Sequence, residues 1–192
     1  MNTQARRFVG FSGHMTDAPD RKSPRFPEAH VEAVGRRLRA VLEKQEGPLH
    51  GVSSAARGGD LEFLKQLLAL GGTASVLLPF PAAGFKQTSV GQGWNDTFDR
   101  LLAHPAVTVY PPLHAAMPTS EDAQAAAFEA CNVQIVDTLI ELAEKGKDAA
   151  PLFLSVFHDA GARQQGGTWD AIERWRKRGG HVEIIDPMAL PL

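Results

Sequence analysis

Short apolar runs alternate along the chain with longer segments in which apolar residues recur every three or four positions. The short runs predict strands, and the longer segments predict amphipathic helices. Six strands are predicted, at 8–13, 49–54, 74–80, 106–110, 151–157 and 182–185. Helices are predicted between them at 28–44, 60–70, 94–103, 120–145 and 169–178, and the stretches 16–27, 81–93 and 111–118 are predicted as loops.

This alternation of strands and helices predicts a mostly parallel sheet with helices on both faces. Right-handed crossovers between parallel strands make the arrangement a doubly wound, Rossmann-like α/β fold. A chain of 192 residues is long enough for one well-buried domain and short for two. We therefore expect a single domain that spans residues 1–192.

The composition of the chain excludes several classes of protein. The hydrophobic fraction of 43% excludes a largely disordered chain, and the sequence has no apolar run long enough for a membrane span. The first residues show no pattern of a secretory signal, and the lone Cys131 cannot form an internal disulfide or a cysteine-based zinc site. We expect a cytoplasmic location. The net charge of -2 argues against nucleic acid as a partner.

Ligands of such a sheet bind beyond the carboxyl ends of its strands. Small, polar and charged residues follow several of the predicted strands. After the first strand they are Ser12, Gly13, His14 and Asp17; after the second Ser53, Ser54, Arg57, Gly58, Gly59 and Asp60; after the third Pro79, Phe85, Ser89, Val90 and Trp94; after the fifth His158, Asp159, Gly161, Arg163, Gly166, Gly167 and Thr168. Parallel strands bring these turns to one edge, so we expect them to form one site.

The segment Gly166-Gly167-Thr168 lies between a strand and a helix, as an anion-binding loop would. Glycines let the backbone approach an anion, and the first helical turn has free N–H groups. Thr168 adds a hydroxyl. The alternative is an ordinary turn in which Thr168 only caps the helix. Asp170 opposes anion binding unless its carboxylate points elsewhere.

The turn from Ser53 to Asp60 offers hydroxyls, the Arg57 guanidinium and glycine amides, which suit a phosphate or a ribose. The alternative is that Asp60 caps the helix and Arg57 is a surface charge. His14 stands alone and has a structural role more often than a catalytic one. The chain has neither a GxGxxG dinucleotide motif nor a metal-ligand spacing, so we expect no cofactor and no metal.

Several motifs together resemble one superfamily. The segment 53–60 is similar to the signature S-G-x-A-R-G-I-D, with departures at Ser54 and Gly59, and Gly167-Thr168 match the G-T of P-G-G-x-G-T-x-x-E. F-S-G-H at 11–14, R-F-P at 25–27 and L-P-F at 78–80 add to the likeness. The chain resembles the SLOG superfamily of Rossmann-like nucleotide-binding domains. That group includes Lonely-guy phosphoribohydrolases, DNA-processing protein A domains and bacterial signalling and defence sensors.

The resemblance implies a nucleotide or nucleotide-derived ligand in a sensor-type domain, with a separate effector protein as a further partner. The ligand-binding residues it implies are Ser12, Gly13, His14, Ser53, Ser54, Arg57, Gly58, Asp60, Gly166, Gly167 and Thr168. The alternative is a nucleotide N-glycosidic hydrolase such as a phosphoribohydrolase. In that family the loop carries a catalytic Glu where this chain has Ala171. His14, Asp17, Asp60 or Asp159 would have to replace it. The long helix after 119 is compatible with homo-oligomerisation.

Overall fold

A computed structural model describes residues 5–148, 150–159 and 166–192. The strands of the described residues are β1 (Arg7–Gly13), β2 (Leu49–Ser53), β3 (Thr73–Val76), β4 (Val107–Val109), β5 (Leu152–Val156) and β6 (Val182–Ile185). The α-helices are α1 (Val31–Leu42), α2 (Gly59–Ala69), α3 (Ala82–Phe85), α4 (Asn95–Leu102), α5 (Glu121–Gly146) and α6 (Thr168–Lys177). The six predicted strands and five predicted helices are confirmed.

All the strands pair in parallel in one sheet of order β4-β3-β2-β1-β5-β6. The chain therefore builds outward from β1 to β4 and then returns to the other side of β1. The order reverses between β1 and β5, where Gly13 pairs with Val156 at the carboxyl end. This topology confirms the doubly wound, Rossmann-like α/β fold and puts its switch point at the ends of β1 and β5.

Helices cover both faces of the sheet. Val9 and Phe11 of β1 belong to the apolar cluster that contains the buried sides of α1, α2 and α4. Phe8 of the same strand belongs to the cluster that contains the buried residues of α6 and much of α5. Successive strand residues point to opposite faces, so a strand buried on both faces has an almost continuous apolar sequence.

Some boundaries differ from the predictions. The helix predicted from residue 28 starts with a 3-10 turn, Glu28–His30, and becomes α-helical at Val31. The predicted loop 81–93 contains α3, a π-helical turn (Lys86–Val90) and a 3-10 turn (Gln92–Trp94). Pro81 has a φ suited to the start of a helix, and Gly91 ends the π turn with a φ of 79°.

The long helix α5 has a capped start and contains the cysteine. The Ser120 hydroxyl caps α5 by accepting a hydrogen bond from the Ala123 amide, and Cys131 of α5 is buried. Burial raises the pKa of its thiol to about 12. Within the ranges described, no helix has the length and apolar character that a membrane crossing requires.

Candidate functional site

A cavity of about 270 Å³ lies at the switch point, beyond the carboxyl ends of β1, β2 and β5. We call it the carboxyl-edge cavity. Of the predicted site residues, those that line it are Ser12, Gly13, His14, Ser54, Asp60, Gly166, Gly167 and Thr168. The structure therefore brings together turns that are far apart in the sequence, as expected from a parallel sheet.

The glycine loop before α6 is held against α5. Gly166 has a φ of 73°, and a Cβ at this position would lie 2.6 Å from the Ala125 carbonyl oxygen. The Asn132 amide of α5 donates hydrogen bonds to the carbonyl oxygens of Gly166 and Gly167, at 3.0 and 3.2 Å. Carbonyl and N–H of a trans peptide point in opposite directions. The amides of Gly167 and Thr168 therefore point away from Asn132.

The start of α6 departs from the sequence interpretation at two places. Gly167, and not Thr168, is the N-cap, and none of the described side chains caps this helix. The Gly166 amide, which was expected to contact an anion, donates a hydrogen bond to the Asp170 carboxylate. That bond turns the carboxylate toward the loop, and Asp170 is not among the lining residues. Two consequences follow: Gly166 has no free amide for a ligand, and the Asp170 charge is partly satisfied.

Asp60 joins β1 to the turn that follows β2. Its carboxylate oxygens accept hydrogen bonds from the amides of Gly13 and Ala56, both at 3.1 Å. Burial raises the pKa of this carboxyl to about 7, against the opposing effect of the two hydrogen bonds. Asp60 lines the cavity, so a carboxyl that titrates near neutral pH lies within the site.

Three predicted ligand contacts lie outside the lining of the cavity. The Ser53 hydroxyl is buried and donates to the Ser54 carbonyl oxygen. The Arg57 Nε donates to the Thr16 carbonyl oxygen, and Gly58, with a φ of 81°, packs against the Thr16 amide. These residues shape the turn behind the site. The expectation that Arg57 and Gly58 touch the ligand is not supported by their position.

His14 is buried beside the ring of Phe157, with ring centroids 4.8 Å apart. Its Nε2 is 3.1 Å from the His158 carbonyl oxygen, which can only accept, so Nε2 carries the proton. Burial lowers the pKa of His14 to about 4, although the bond to His158 opposes this shift. The imidazole is therefore neutral at pH 7, with Nδ1 as an acceptor.

The other residues weighed for metal or acid–base roles have partners elsewhere. The Asp17 carboxylate accepts from the amides of Arg25 and Phe26, and His158 Nδ1 lies 3.0 Å from Asp186. Gly161 and Arg163 lie outside the described residues. In the described ranges, no three His, Cys, Asp or Glu side chains group as metal ligands would. Ala171, at the position where the phosphoribohydrolase motif has its Glu, is fully buried.

Two of the remaining lining residues, Phe85 and Ser89, were expected at this edge after the third strand. Sequence reasoning missed the others as site residues, which are Met15, Arg25, Ala56, Thr88, Phe128, Phe157 and Trp169. The aromatic lining residues form two groups. Phe157 and Trp169 have ring centroids 5.4 Å apart, and Phe85 and Phe128 have centroids 6.5 Å apart. Arg25 belongs to the R-F-P motif, which was the available signal. Nothing in the periodicity of α5 distinguishes Phe128 from a core residue.

Comparisons with known proteins add little beyond the fold. No family model and no curated protein matches this chain. Among solved structures, the chain is similar to DNA processing protein A from Streptococcus pneumoniae, at 14% identity and a TM-score of 0.46. The similarity covers 92% of this chain and 58% of that chain, so this chain spans less than two thirds of that protein. The fold assignment rests on the sheet topology.

Proposed function

We propose that the chain binds a nucleotide or a nucleotide-derived molecule in the carboxyl-edge cavity. The observation that carries this proposal is the meeting of three features at one switch point. They are the amide-rich start of α6 at Gly167 and Thr168, the hydroxyls of Ser12, Ser54 and Ser89, and the aromatic side chains. Helix N-termini stabilise phosphate, and aromatic rings stack on bases.

The size of the cavity limits the ligand. Small-molecule sites typically measure about 300–1,000 Å³. A cavity of about 270 Å³ lies near the lower end of that range and favours a mononucleotide over a dinucleotide. The missing GxGxxG motif agrees with this preference.

Calorimetry tests the proposal directly. The protein is titrated with AMP, GMP, CMP and UMP, with cyclic nucleotides and with the matching nucleosides, each to millimolar concentration. Binding of at least one nucleotide supports the proposal, and no heat from any of them overturns it. Thr168→Val removes the hydroxyl at the start of α6 and is expected to weaken binding about 10-fold or more. Thr138→Val of α5, whose hydroxyl accepts from Gln134, is the matched control.

A second candidate function is hydrolysis of the N-glycosidic bond of the nucleotide. The Asp60 carboxyl in the cavity favours it, because a group with a pKa of about 7 can donate and accept protons at neutral pH. Against it, both carboxylate oxygens already accept backbone hydrogen bonds. Chromatography of a nucleoside monophosphate after long incubation decides: free base and ribose phosphate support hydrolysis, and unchanged nucleotide rejects it.

The finer predictions about biology remain proposals. A sensor role in bacterial signalling or defence requires an effector protein, and co-purification of a partner only in the presence of the bound nucleotide would support it. Cytoplasmic location, homo-oligomerisation and the absence of a nucleic-acid partner also remain predictions. Light scattering tests the oligomeric state, and retention of single-stranded oligonucleotide at low salt tests the last one.

A further inference from the structure

The loop between β1 and α1 is fixed at its base by one carboxylate. Asp17 Oδ2 accepts hydrogen bonds from the amide of Arg25 at 2.7 Å and from the amide of Phe26 at 2.8 Å. The Asp17 amide donates in return to the Phe26 carbonyl oxygen, at 2.8 Å. The Phe26 ring is fully buried in the core. The backbone of Arg25 is therefore held in place although most of the loop is exposed.

The side chain of Arg25 reaches the carboxyl-edge cavity with its charge unmatched. It lines the cavity, and its Nε is buried without a hydrogen-bond partner. Asp17, which holds its backbone, forms its ion pair with Arg21, at 3.2 Å between Nε and Oδ1. Within the described part of the chain, the Arg25 guanidinium makes neither an ion pair nor a hydrogen bond.

A guanidinium without an ion-pair partner at this place favours the binding of an anion. Burial, with a smaller effect from Arg21, lowers the pKa of Arg25, and the nearby charge of Asp17 opposes this shift. Arginine keeps its proton at neutral pH. A partly buried charge without a partner costs free energy, and a bound carboxylate or phosphate removes that cost by accepting from the guanidinium. Asp17 and Arg21 pair with each other, the loop 16–27 has three basic and two acidic residues, and of these only Arg25 lines the cavity.

We propose that Arg25 binds the phosphate of the ligand, that Asp17 is the positioning residue that holds Arg25, and that the cavity therefore selects nucleotides over nucleosides. This inference rests on the proposed function, because it identifies the charge partner within the same site. The carboxyl-edge cavity then has two sources of anion affinity on separate segments, the loop after β1 and the start of α6.

The first test compares each nucleoside monophosphate with its nucleoside. Arg25→Gln is expected to weaken binding of the monophosphate about 10- to 100-fold and to leave binding of the nucleoside unchanged. Arg25→Lys keeps the charge without the planar guanidinium. Its affinity for the monophosphate is expected to lie between those of the unmodified protein and Arg25→Gln. Arg36→Gln, which removes an exposed arginine of α1, is the control. It is expected to change neither the affinity for the monophosphate nor that for the nucleoside.

The outcomes separate the two proposals. If the unmodified protein binds no monophosphate, the proposed function fails. If it binds one and Arg25→Gln binds it equally well, the function stands and the inference about Arg25 is overturned. Equal weakening for monophosphate and nucleoside also overturns it, because that result describes a general loss of the site and not a lost phosphate contact.

The second test addresses Asp17. Asp17→Asn weakens the anchor of the loop and is expected to reduce the preference for monophosphate over nucleoside, in the same direction as Arg25→Gln. The double variant is expected to lose no more than Arg25→Gln alone, because both changes act through one contact. If the losses of monophosphate affinity in the two single variants add up in the double variant, Asp17 has only a general structural role. Unfolding by urea identifies a variant that does not fold, and Arg25→Gln then decides the inference by itself.

Discussion

Both edges of the sheet have a cavity lined by arginine, and Arg7 at the amino edge differs from Arg25 at the carboxyl edge in its partners. The cavity at the amino edge is the larger, about 510 Å³ against about 270 Å³. There Arg7 pairs with Asp148 at 2.9 Å, and the same carboxylate accepts from the Phe8 amide. At the carboxyl edge Arg25 has no such partner among the residues that the structure describes. Groups that satisfy each other hold the fold together, and groups left unmatched are available to a ligand.

The buried His14 and the partly buried His50 make the same contrast. Burial lowers the pKa of both His14 and His50 to about 4. Both ring nitrogens of His50 contact hydroxyls, of Thr73 at 2.7 Å and of Ser75 at 3.0 Å. His14 contacts a carbonyl through Nε2 only and lines the carboxyl-edge cavity. A shifted pKa is therefore common to both residues, and the set of partners separates the structural histidine from the candidate site residue.

The largest expected effect comes from the two glycines that flank α6. Gly166 and Gly179 both have a positive φ, of 73° and 77°, but only at Gly166 would a Cβ meet a backbone oxygen. Gly179→Ala is expected to cost about 1–2 kcal/mol of unfolding free energy from conformation alone. Gly166→Ala adds a steric cost, for a total of roughly 2–5 kcal/mol, and displaces the glycine loop.

Urea unfolding and nucleotide titration of both variants measure this difference. Gly179→Ala at the amino edge is expected to keep its affinity for the ligand, and Gly166→Ala is expected to lose it. Equal affinities would mean that the glycine loop does not contribute to the site, and the contrast between the edges would lose its strongest element.

Substitution of Arg7 is expected to lower the unfolding free energy, and substitution of Arg25 is expected to leave it nearly unchanged. Arg7→Gln breaks the pair with Asp148, whose side chain is only 6% exposed, and should lower the unfolding free energy by about 1–3 kcal/mol without affecting ligand binding. Arg25→Gln removes no ion pair and should change the unfolding free energy by less than about 0.5 kcal/mol. Urea unfolding in the absence of ligand measures both. A large loss from Arg25→Gln would show that its charge has a structural partner after all.

The histidines predict a pH dependence of stability. The folded-state pKa of about 4 lies below the usual 6.5, so the unfolded state takes up more protons as the pH falls between these values, and stability falls with it. From pH 6.5 to 5.5 the loss from His14 is about 1 kcal/mol. His14→Gln should remove that loss, and His50→Gln should reduce the slope in the same direction.

Two controls complete the pH prediction. Asp60 has the opposite effect on the pH dependence of stability. Because its pKa is raised in the folded state, stability falls as the pH rises from 3.8 toward 7. Only differences between a variant and the unmodified protein are therefore informative. In NMR spectra, an added nucleotide should shift the ring resonances of His14 and leave those of His50 in place. Shifts of His50 alone would contradict the assignment of the site to the carboxyl edge.

The fold could be predicted from the sequence because its signals are local and repeated. Val9 and Phe11 face one apolar cluster and Phe8 the other, and this two-sided burial makes the strands apolar throughout. The turns that form the site follow from the same reasoning, since parallel strands end at one edge. Short helical turns in 81–93 were missed, because three to five residues are too few for a periodic pattern.

The chemistry of the site was only partly accessible from the sequence. Arg57 lies in the motif at 53–60 and Arg25 in the motif at 25–27. No local feature of the sequence shows that Arg57 donates to Thr16 while Arg25 lines the cavity. Side-chain direction depends on contacts between distant segments, such as that of Asp17 with Phe26. Phe128 likewise has the pattern of a core residue, although it lies at the cavity.

The smallest expected effect concerns the arginines of α1, which extends toward the amino edge. Each of three exposed arginines pairs with a carboxylate: Arg36 with Glu32, Arg39 with Glu43 and Arg37 with Glu183. Exposed pairs contribute little, so Arg36→Gln should lower the unfolding free energy by no more than about 0.5 kcal/mol.

A double substitution tests whether this helix binds nucleic acid. Since a nearby carboxylate neutralises each of these three cations, the double variant Arg36→Gln/Arg39→Gln should retain as little single-stranded oligonucleotide at low salt as the unmodified protein. A measurable drop in retention would mean that these arginines exchange their carboxylates for phosphates. The amino edge would then also have a binding function, and mutual pairing of side chains would no longer be sufficient to identify a structural region.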